Sequence, residues 1–219
     1  MPDRESPAMA DRQYDVVVFG ATGFTGALTA EYLSIHADEG TRWALAGRSR
    51  QKLEDVRRRL GPPSAELPLI EADVNDPASM RALAESTKVV ITTVGPYINY
   101  GEPVVAACAA AGTDYVDLTG EPEFVDLMWL RHHATAERNG ARLVHSCGFD
   151  SIPYDLGTLF TVQHLPEGVP LSVEGFVRAG GTFSGGTYHS AVHAMGRLRQ
   201  SVRVARERRQ QETGPNGRR

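Results

Sequence analysis

Three glycines that follow a predicted buried strand constrain the fold of this chain more than any other feature. A β-branched run over residues 14–20 predicts the strand, and apolar residues over Phe24–His36 predict a helix. Between them the glycines stand at positions 20, 23 and 26. In such a turn Gly20 permits a tight bend, Gly23 lets a phosphate approach the backbone, and Gly26 lets the helix pack closely on the sheet. The spacing predicts a dinucleotide-binding turn, and an ordinary glycine-rich turn is the alternative.

Strands and helices then alternate along most of the chain. Further strands are predicted at 43–47, 66–72, 88–94, 114–117 and 142–146, and further helices at 50–60, 77–85, 103–111 and 122–139. The first helix carries apolar residues at roughly helical spacing, namely Leu28, Tyr32, Leu33 and Ile35. This alternation predicts parallel strands joined by crossover helices, which is the doubly wound α/β class.

The rhythm changes after Cys147. A helix is predicted at 152–164, a single strand at 171–178 and a long helix at 185–211. One strand has no sheet of its own to join, so it either pairs with the main sheet or with another chain, or the rest of an α+β domain is missing. We therefore divide the chain into a flexible tail at 1–13, a nucleotide-binding domain at 14–150, and the start of a second domain at 151–219.

Charge and composition exclude several classes of protein. The net charge is −4, but residues 197–219 carry +6, which leaves −10 on the rest of the chain. An acidic body argues against nucleic acid as the main partner. The sequence has no apolar run long enough for a membrane-spanning helix and no secretory leader, so we expect a cytoplasmic protein. Two isolated cysteines, Cys108 and Cys147, predict neither a disulfide framework nor a zinc site.

The end of the second strand indicates which dinucleotide would bind. An NAD-binding domain usually has an acidic residue there for the ribose 2′-hydroxyl, whereas this sequence has Arg48, Ser49 and Arg50. A guanidinium beside a hydroxyl suits a 2′-phosphate, because the planar fork matches the phosphate oxygens. The residues favour NADP(H), and the alternative is that the two arginines only begin a solvated helix.

Two other loops at this edge of the predicted sheet are candidates for cofactor contacts. Asp73 either flanks the adenine ring or caps the helix that starts at Pro77. Gly95 and Pro96 follow the fourth strand, and they allow that loop to pass close to the ribose and nicotinamide. Tyr97 comes next and could reach a substrate, but a packing tyrosine is the better interpretation.

Two unusual motifs follow the fifth and sixth strands. Tyr-Val-Asp-Leu-Thr-Gly-Glu and Ser-Cys-Gly-Phe-Asp-Ser-Ile-Pro place five reactive or polar residues near the crevice: Asp117, Glu121, Cys147, Asp150 and Ser151. Asp150 or Ser151 could instead cap the next helix. Cys147 could act as a nucleophile, although an inert buried thiol is the more common case.

Several familiar arrangements are excluded. Neither Lys52 nor Lys88 has a tyrosine four residues earlier, so the catalytic pair of short-chain dehydrogenases is missing. His189 and His193 have helical spacing, but residue 190 is not glutamate, so we predict no metal site. The basic stretch at 197–209 could bind an anionic membrane or an acyl carrier. We favour instead a solvated helix that packs on sequence outside this chain.

Together these motifs carry a resemblance to a known family. Gly-Ala-Thr-Gly-Phe-Thr-Gly, Ala-Gly-Arg-Ser, Thr-Thr-Val-Gly-Pro-Tyr and above all Cys-Gly-Phe-Asp-Ser-Ile-Pro-Tyr-Asp-Leu-Gly resemble the saccharopine dehydrogenase-like oxidoreductases. Within that family the sequence is similar to the mycobacterial trans-acting enoyl reductases. The resemblance implies a Rossmann-type NADP-binding domain followed by a substrate domain. Members of the family continue well beyond this point, so it also implies that the second domain is incomplete here.

The resemblance also assigns residues to the cofactor. The pyrophosphate would be held by Gly20, Thr22, Gly23, Phe24, Thr25 and Gly26. Arg48 and Ser49 would read the 2′-phosphate, and Gly95 and Pro96 would approach the cofactor. The family offers no dependable catalytic residue, so Tyr97 and Cys147 are only weak candidates for the proton donor.

The implied reaction is NADPH-dependent reduction of a carbon–carbon double bond. The substrate would be an acyl or polyketide chain carried by a polyketide synthase, in the biosynthesis of envelope glycolipids. The resemblance also implies association with the membrane surface, and a homo-oligomer is compatible with it. The alternative function is a non-catalytic NADP(H)-binding fragment or a redox-sensing module.

Overall fold

Six parallel strands form one sheet in the computed structural model, which describes residues 11–178, 180 and 196–212. The strands are β1 (Tyr14–Phe19), β2 (Trp43–Gly47), β3 (Leu69–Glu71), β4 (Thr87–Thr92), β5 (Asp114–Asp117) and β6 (Leu143–Val144). Their order is β3-β2-β1-β4-β5-β6, and every neighbouring pair is parallel. The order reverses between β1 and β4, which confirms the doubly wound prediction and places a crevice above that point.

Helices connect the strands, and local sequence signals set their ends. They are α1 (Phe24–His36), α2 (Arg50–Leu60), α3 (Pro77–Ser86), α4 (Tyr97–Tyr100), α5 (Glu102–Ala111), α6 (Pro122–Asn139), α7 (Ile152–Gln163) and α8 (Leu198–Gln211), with a 3₁₀ turn at Pro62–Ser64. The Asp76 carboxylate accepts the Ala78 N–H at 3.0 Å and so caps α3. Gly112 and Gly140 end α5 and α6 in the left-handed region.

The sheet buries apolar side chains on both faces. Val17, Phe19 and Val90 point to the face covered by α3, α5 and α6, where they pack with Tyr115 and Phe124. The other face holds a smaller cluster in which Val18 and Leu45 meet α1 and α2. Burial on both faces explains why β1 is a continuous apolar run rather than an alternating one.

The apolar residues that predict α1 are mostly not the residues that it buries. Leu28, Tyr32 and Ile35 are exposed, and only Leu33 packs partly against the core. The buried residues of α1 are Gly26 and Ala30. The glycine turn brings the helix so close to the sheet that only small side chains fit between them.

The structure confirms the helix predicted at 152–164, which is α7, and revises the strand predicted at 171–178. Residues 171–178 are not a strand, since they pair with none of the six strands of the described residues. Helix α7 buries none of its residues, and Phe160 is among its exposed apolar side chains. The first part of the predicted long helix, residues 185–195 with His189 and His193, lies outside the described residues.

Helix α8 packs on α6 of the same chain, whereas the sequence was interpreted as a helix that packs on sequence outside it. Arg197 donates to both carboxylate oxygens of Glu123, at 2.8 and 2.7 Å. Arg208 donates to Asp126 at 2.9 Å, and its guanidinium carbon lies 5.3 Å from the centre of the Trp129 ring. Two cations of the basic stretch are thus paired with acidic residues of the same chain.

At the start of the described chain, Arg12 joins two helix ends. Its guanidinium donates to the carbonyl oxygens of Glu85, at the end of α3, and of Ala111, at the end of α5. A cation is favourable at both places because helix C-termini carry partial negative charge. Residues 1–10 of the predicted tail lie outside the described residues.

The contact of α1 with the sheet predicts the effect of Gly26→Ala. A Cβ at this position would collide with the carbonyl carbon and oxygen of Gly20, both backbone atoms. Alanine favours a helix over glycine by about 1 kcal/mol, but overpacking costs typically about 1–3 kcal/mol. Because backbone cannot rotate away, we expect a net loss of about 1–2 kcal/mol in the free energy of unfolding, measured with urea.

Gly120→Ala is the matched control. Gly120 is exposed, and a Cβ added there would have no atom within 4 Å. This variant should stay within about 0.5 kcal/mol of the parent chain. Equal stability of the two variants would contradict the close contact at Gly26.

Candidate cofactor-binding site

The glycine turn has a geometry that only glycine provides. Gly20 has a φ of 89°, in the left-handed region, and a Cβ there would lie 2.8 Å from the Thr93 hydroxyl oxygen. The Gly20 carbonyl accepts the Gly23 N–H at 3.0 Å and the Thr93 hydroxyl at 3.2 Å. These contacts join β1, the first residues of α1 and the loop after β4 at one point.

The start of α1 offers backbone donors beside this turn. Within the described chain, the N–H groups of Phe24, Thr25 and Gly26 donate to no backbone carbonyl, as is usual for the first turn of a helix. Gly23 precedes the helix and has no side chain to shield these groups. The arrangement suits an anion, because the donors and the helix dipole act together.

A cleft of about 270 Å³ opens above the turn, at the carboxyl edge of the sheet. Five of the predicted cofactor residues line it: Gly20, Thr22, Gly23, Arg48 and Gly95. The remaining lining residues are Phe19, Gly47, Val74, Asn75, Thr93, Val94 and Tyr100. The other six predicted residues do not line the cleft, although they are close in sequence to residues that do: Phe24, Thr25, Gly26, Ser49, Asp73 and Pro96. The structure therefore brings the glycine turn, β2 and the loop after β4 together, as expected.

Arg48 differs from the arginines around it. Arg42 pairs with Asp15, and Arg50 pairs with Glu54, whereas Arg48 is exposed at the cleft and has no hydrogen-bond or ion-pair partner among the residues that the structure describes. An arginine that lines a cleft without a partner is available to an anionic ligand.

Ser49 combines two functions. Its hydroxyl oxygen accepts the Lys52 N–H at 3.4 Å, so Ser49 is the N-cap of α2. Because a hydroxyl can accept and donate together, its hydrogen stays free for a phosphate oxygen. The helix predicted after Arg48 is therefore present, and its cap uses the Ser49 oxygen but not the Ser49 hydroxyl hydrogen.

Asp73 is not among the residues that line the cleft, and it does not cap α3. Its carboxylate accepts the backbone N–H of Asn75 at 2.9 Å and the Asn75 side-chain amide at 3.0 Å. Asp76 provides the cap of α3. Val74 and Asn75 line the cleft instead. Sequence reasoning named this loop but not the two of its residues that line the cleft.

Tyr97 belongs to the core. Its hydroxyl donates to the Thr92 carbonyl at 3.1 Å, and its ring lies 5.8 Å from that of Phe124. Burial, and secondly the charge of Asp117, raise the pKa of Tyr97 above its ordinary value. The hydroxyl is used inside the protein and stays protonated, which supports the packing interpretation. Tyr100, at the other end of α4, is the tyrosine that lines the cleft.

Asp117 is the centre of a buried hydrogen-bond network, and it is 2% exposed. Oδ1 accepts the N–H groups of Thr119 and Ser146 at 3.0 and 2.9 Å. Oδ2 accepts the Tyr115 hydroxyl at 2.8 Å and lies 2.6 Å from His145 Nδ1. Since an ionised carboxylate only accepts, Nδ1 carries the proton of this contact. The Asp117 carboxylate thus joins the two motifs that follow the fifth and sixth strands, whose polar residues were candidates for a catalytic role.

His145 was missed by sequence reasoning. The residue stands just before the second motif, and its ring packs edge-on against Tyr115 and Phe124. Ser146 follows with a φ of 60°, which is unusual for a residue other than glycine. Hydrogen bonds to Asp117 and Thr119 hold Ser146 in this conformation.

The remaining predicted residues of the second motif lie apart from the cleft lining. The Cys147 thiol is half-buried and lies 3.6 Å from the Val144 carbonyl oxygen. Burial, and secondly Asp117, raise the pKa of Cys147. Asp150 is exposed, and Ser151 precedes α7 without a side-chain capping bond.

Other possible sites are absent or remote. A groove of about 540 Å³ lies at the opposite edge of the sheet, beside Tyr14, Arg42 and Trp43, and none of the motif residues line it. The described residues contain no group of three or more His, Cys, Asp or Glu side chains that could hold a metal ion. None of the helices described is both long enough and apolar enough to span a membrane.

The fold and the site define a class: this is a Rossmann-type dinucleotide-binding domain, with a cleft at the point where the strand order reverses. Residues 16–144 match the saccharopine dehydrogenase NADP-binding domain family. The chain belongs to this family, and NADP(H) is its cofactor, as the glycine turn and the end of β2 predicted.

Curated relatives are longer than this chain. A protein of Mycobacterium tuberculosis named trans-acting enoyl reductase is 54% identical over 147 residues, which are 67% of this chain and 35% of that protein. The protein of the same name from Mycobacterium leprae is 52% identical over 145 residues, covering 66% and 34%. A second M. tuberculosis protein, which has that name provisionally, is 47% identical over 189 residues, covering 84% and 45%. The chain thus spans less than half of these relatives.

Among solved structures, the apo saccharopine dehydrogenase (L-glutamate forming) of Saccharomyces cerevisiae has the same fold. The TM-score is 0.54 with 19% identity, over 68% of this chain and 31% of that one. At this identity the likeness extends to the fold alone.

The thiols predict a slow reaction with Ellman's reagent. Cys108 is fully buried, and the pKa of each thiol is raised by burial. At pH 7 we expect Cys147 to react at least about tenfold more slowly than a free thiol, because the thiolate is the reactive form. The reaction rate should rise with pH, and the rise should occur at a higher pH than for a free thiol.

Cys147→Ser should abolish whatever native reaction is observed, and denaturant should expose both thiols of the parent chain. A rapid, stoichiometric reaction of Cys147 at pH 7 would contradict a raised pKa and would restore this thiol as a candidate for proton or covalent chemistry.

Proposed function

We propose that this chain is the NADP(H)-binding part of a reductase that acts on carbon–carbon double bonds. One observation carries the proposal: the unpartnered Arg48 guanidinium lies in the same cleft as the glycine turn. Such a cleft offers contacts for a pyrophosphate and for a 2′-phosphate at the two ends of an adenosine. The enoyl reductases among the relatives support the class of reaction.

The residues present fit NADP(H). The absence of a Cβ at Gly20 and Gly26 lets α1 approach the sheet, and the first N–H groups of the helix would bind the pyrophosphate. Arg48 and Ser49 would bind the 2′-phosphate. Val74 and Asn75 would lie beside the adenine, while Gly95 would face the second ribose and the nicotinamide.

The bound cofactor would supply a hydride to the β-carbon of an α,β-unsaturated acyl group, and the α-carbon would take a proton. Neither Tyr97 nor Cys147 is well suited to supply it, since the tyrosine hydroxyl is committed to the Thr92 carbonyl and both pKa values are raised. For this reason we assign Tyr97 to the core and propose that another group donates the proton to the α-carbon.

The substrate that we propose is an acyl or polyketide chain presented by a polyketide synthase, in the formation of envelope lipids. The relatives that are named trans-acting support a substrate that another protein carries. The polyketide chain and the envelope lipids rest on the family resemblance of the sequence. Membrane association through α8 has less support. Arg197 and Arg208, two of its cations, pair with acidic residues of α6 and are not free for lipid phosphates.

Arg48→Ala tests the cofactor site. Loss of a charge-assisted contact to the 2′-phosphate should weaken NADPH binding by about 10- to 100-fold. NADH lacks that phosphate, so its affinity should change by less than about twofold. Isothermal titration calorimetry with both nucleotides measures the difference.

Arg59→Ala is the control. This exposed arginine lies in α2, which follows Arg48, but it does not line the cleft. It should bind both nucleotides as the parent chain does. Equal affinity of the Arg48→Ala variant and the parent chain for NADPH would contradict the assignment.

Turnover separates the reductase from its alternative. A trans-2-enoyl thioester added to the chain with NADPH should be consumed together with the cofactor if the reductase proposal holds. Tight, selective NADPH binding without oxidation would instead favour a non-catalytic NADP(H)-binding module.

A further inference from the structure

The Glu121 side chain links two loops at the carboxyl edge of the sheet. It starts from the loop after β5, and its Oε1 accepts the Tyr97 N–H at 3.0 Å while Oε2 accepts the Ile98 N–H at 2.9 Å. Glu121 is 7% exposed. A carboxylate that receives two successive amides with separate oxygens fixes both the position and the direction of that backbone.

The backbone that Glu121 holds forms one wall of the cleft. Gly95 lies just before the two amides and Tyr100 just after them, and both line the cleft. The amides belong to the first turn of α4, where no helical carbonyl is available to receive them. The Glu121 carboxylate thus supplies the acceptors that this wall needs.

Glu121 is itself held in place. Its N–H donates to the Thr119 hydroxyl at 3.1 Å, and the Thr119 N–H donates to Asp117. Ser146, from the loop after β6, donates its hydroxyl to the Thr119 carbonyl at 2.8 Å. The wall is therefore connected through buried hydrogen bonds to β5 and β6, and the first motif is explained as a support for the cleft.

We propose that Glu121 is a positioning residue of the cofactor cleft, which sets the Gly95–Tyr100 wall against which the nicotinamide half of NADP(H) binds. Glu121 does this without touching the cofactor. The inference rests on the proposed function, because it takes the adenosine half to lie over β1–β3 and the nicotinamide half on the side of β4.

Glu121→Gln tests the inference with two ligands. The variant keeps the size of the side chain but turns an NH₂ group toward one of the two amides, so one hydrogen bond is lost. NADPH should bind about tenfold more weakly. Adenosine 2′,5′-bisphosphate contains only the adenosine half, and its affinity should change by less than about twofold. Calorimetry measures both.

Amide hydrogen exchange gives a second readout. The amides of Tyr97 and Ile98 should exchange faster in Glu121→Gln, while those of β1 should keep the rates of the parent chain. Glu102→Gln is the matched control, because this carboxylate is more exposed, begins α5 and pairs with Arg131. It should change neither binding nor the exchange of the two amides.

Three results would overturn the inference: equal weakening of both ligands, no change in either, or unchanged exchange at Tyr97 and Ile98. Failure of the proposed function has another signature. The parent chain would then bind neither ligand, and the exchange rates alone would decide whether Glu121 sets the wall.

Discussion

The carbonyl oxygen of Gly20 is the atom on which the geometry of the site depends. It accepts hydrogen bonds from the Gly23 N–H and the Thr93 hydroxyl, and the Cα of Gly26 packs against it with no room for a Cβ. The end of β1, the start of α1 and the loop after β4 therefore meet at one point. Because α1 must come this close, its sheet-facing surface is made of small residues and its larger apolar residues face outward.

The other half of the same edge is held by different chemistry. Asp117 and Glu121 are buried carboxylates, and between them they receive backbone amides from the loops after β4, β5 and β6. On the side of the cleft that would receive phosphates, the shape is set by the backbone of the glycine turn, whose three glycines have no side chains there. The Asp117 and Glu121 carboxylates hold the loops on the side next to it.

Local signals in the sequence predicted the fold because they act within a few residues. Phe24–His36, Arg50–Leu60 and Pro122–Asn139 have the predicted bounds, and for the last two a capping serine, a proline or a terminal glycine marks the ends. Contacts between residues on different strands and loops were harder to predict from the sequence. The exposed face of α1 depends in part on Thr93, which lies far away in sequence. The strand predicted at 171–178 pairs with no strand of the described residues, and local sequence does not show whether such a partner exists.

The same distinction applies to the polar motifs. Spacing placed Asp117 and Glu121 correctly at the carboxyl edge, but it did not show what their oxygens receive. Asp117 has four donors for about four lone-pair sites, so it has no free site with which to take a proton from a substrate. An acidic residue at a crevice therefore becomes a candidate base only after its hydrogen bonds are counted. In this protein, that count makes Asp117 a structural anchor and leaves the unpartnered Arg48 as the charged side chain most open to a ligand of the cleft.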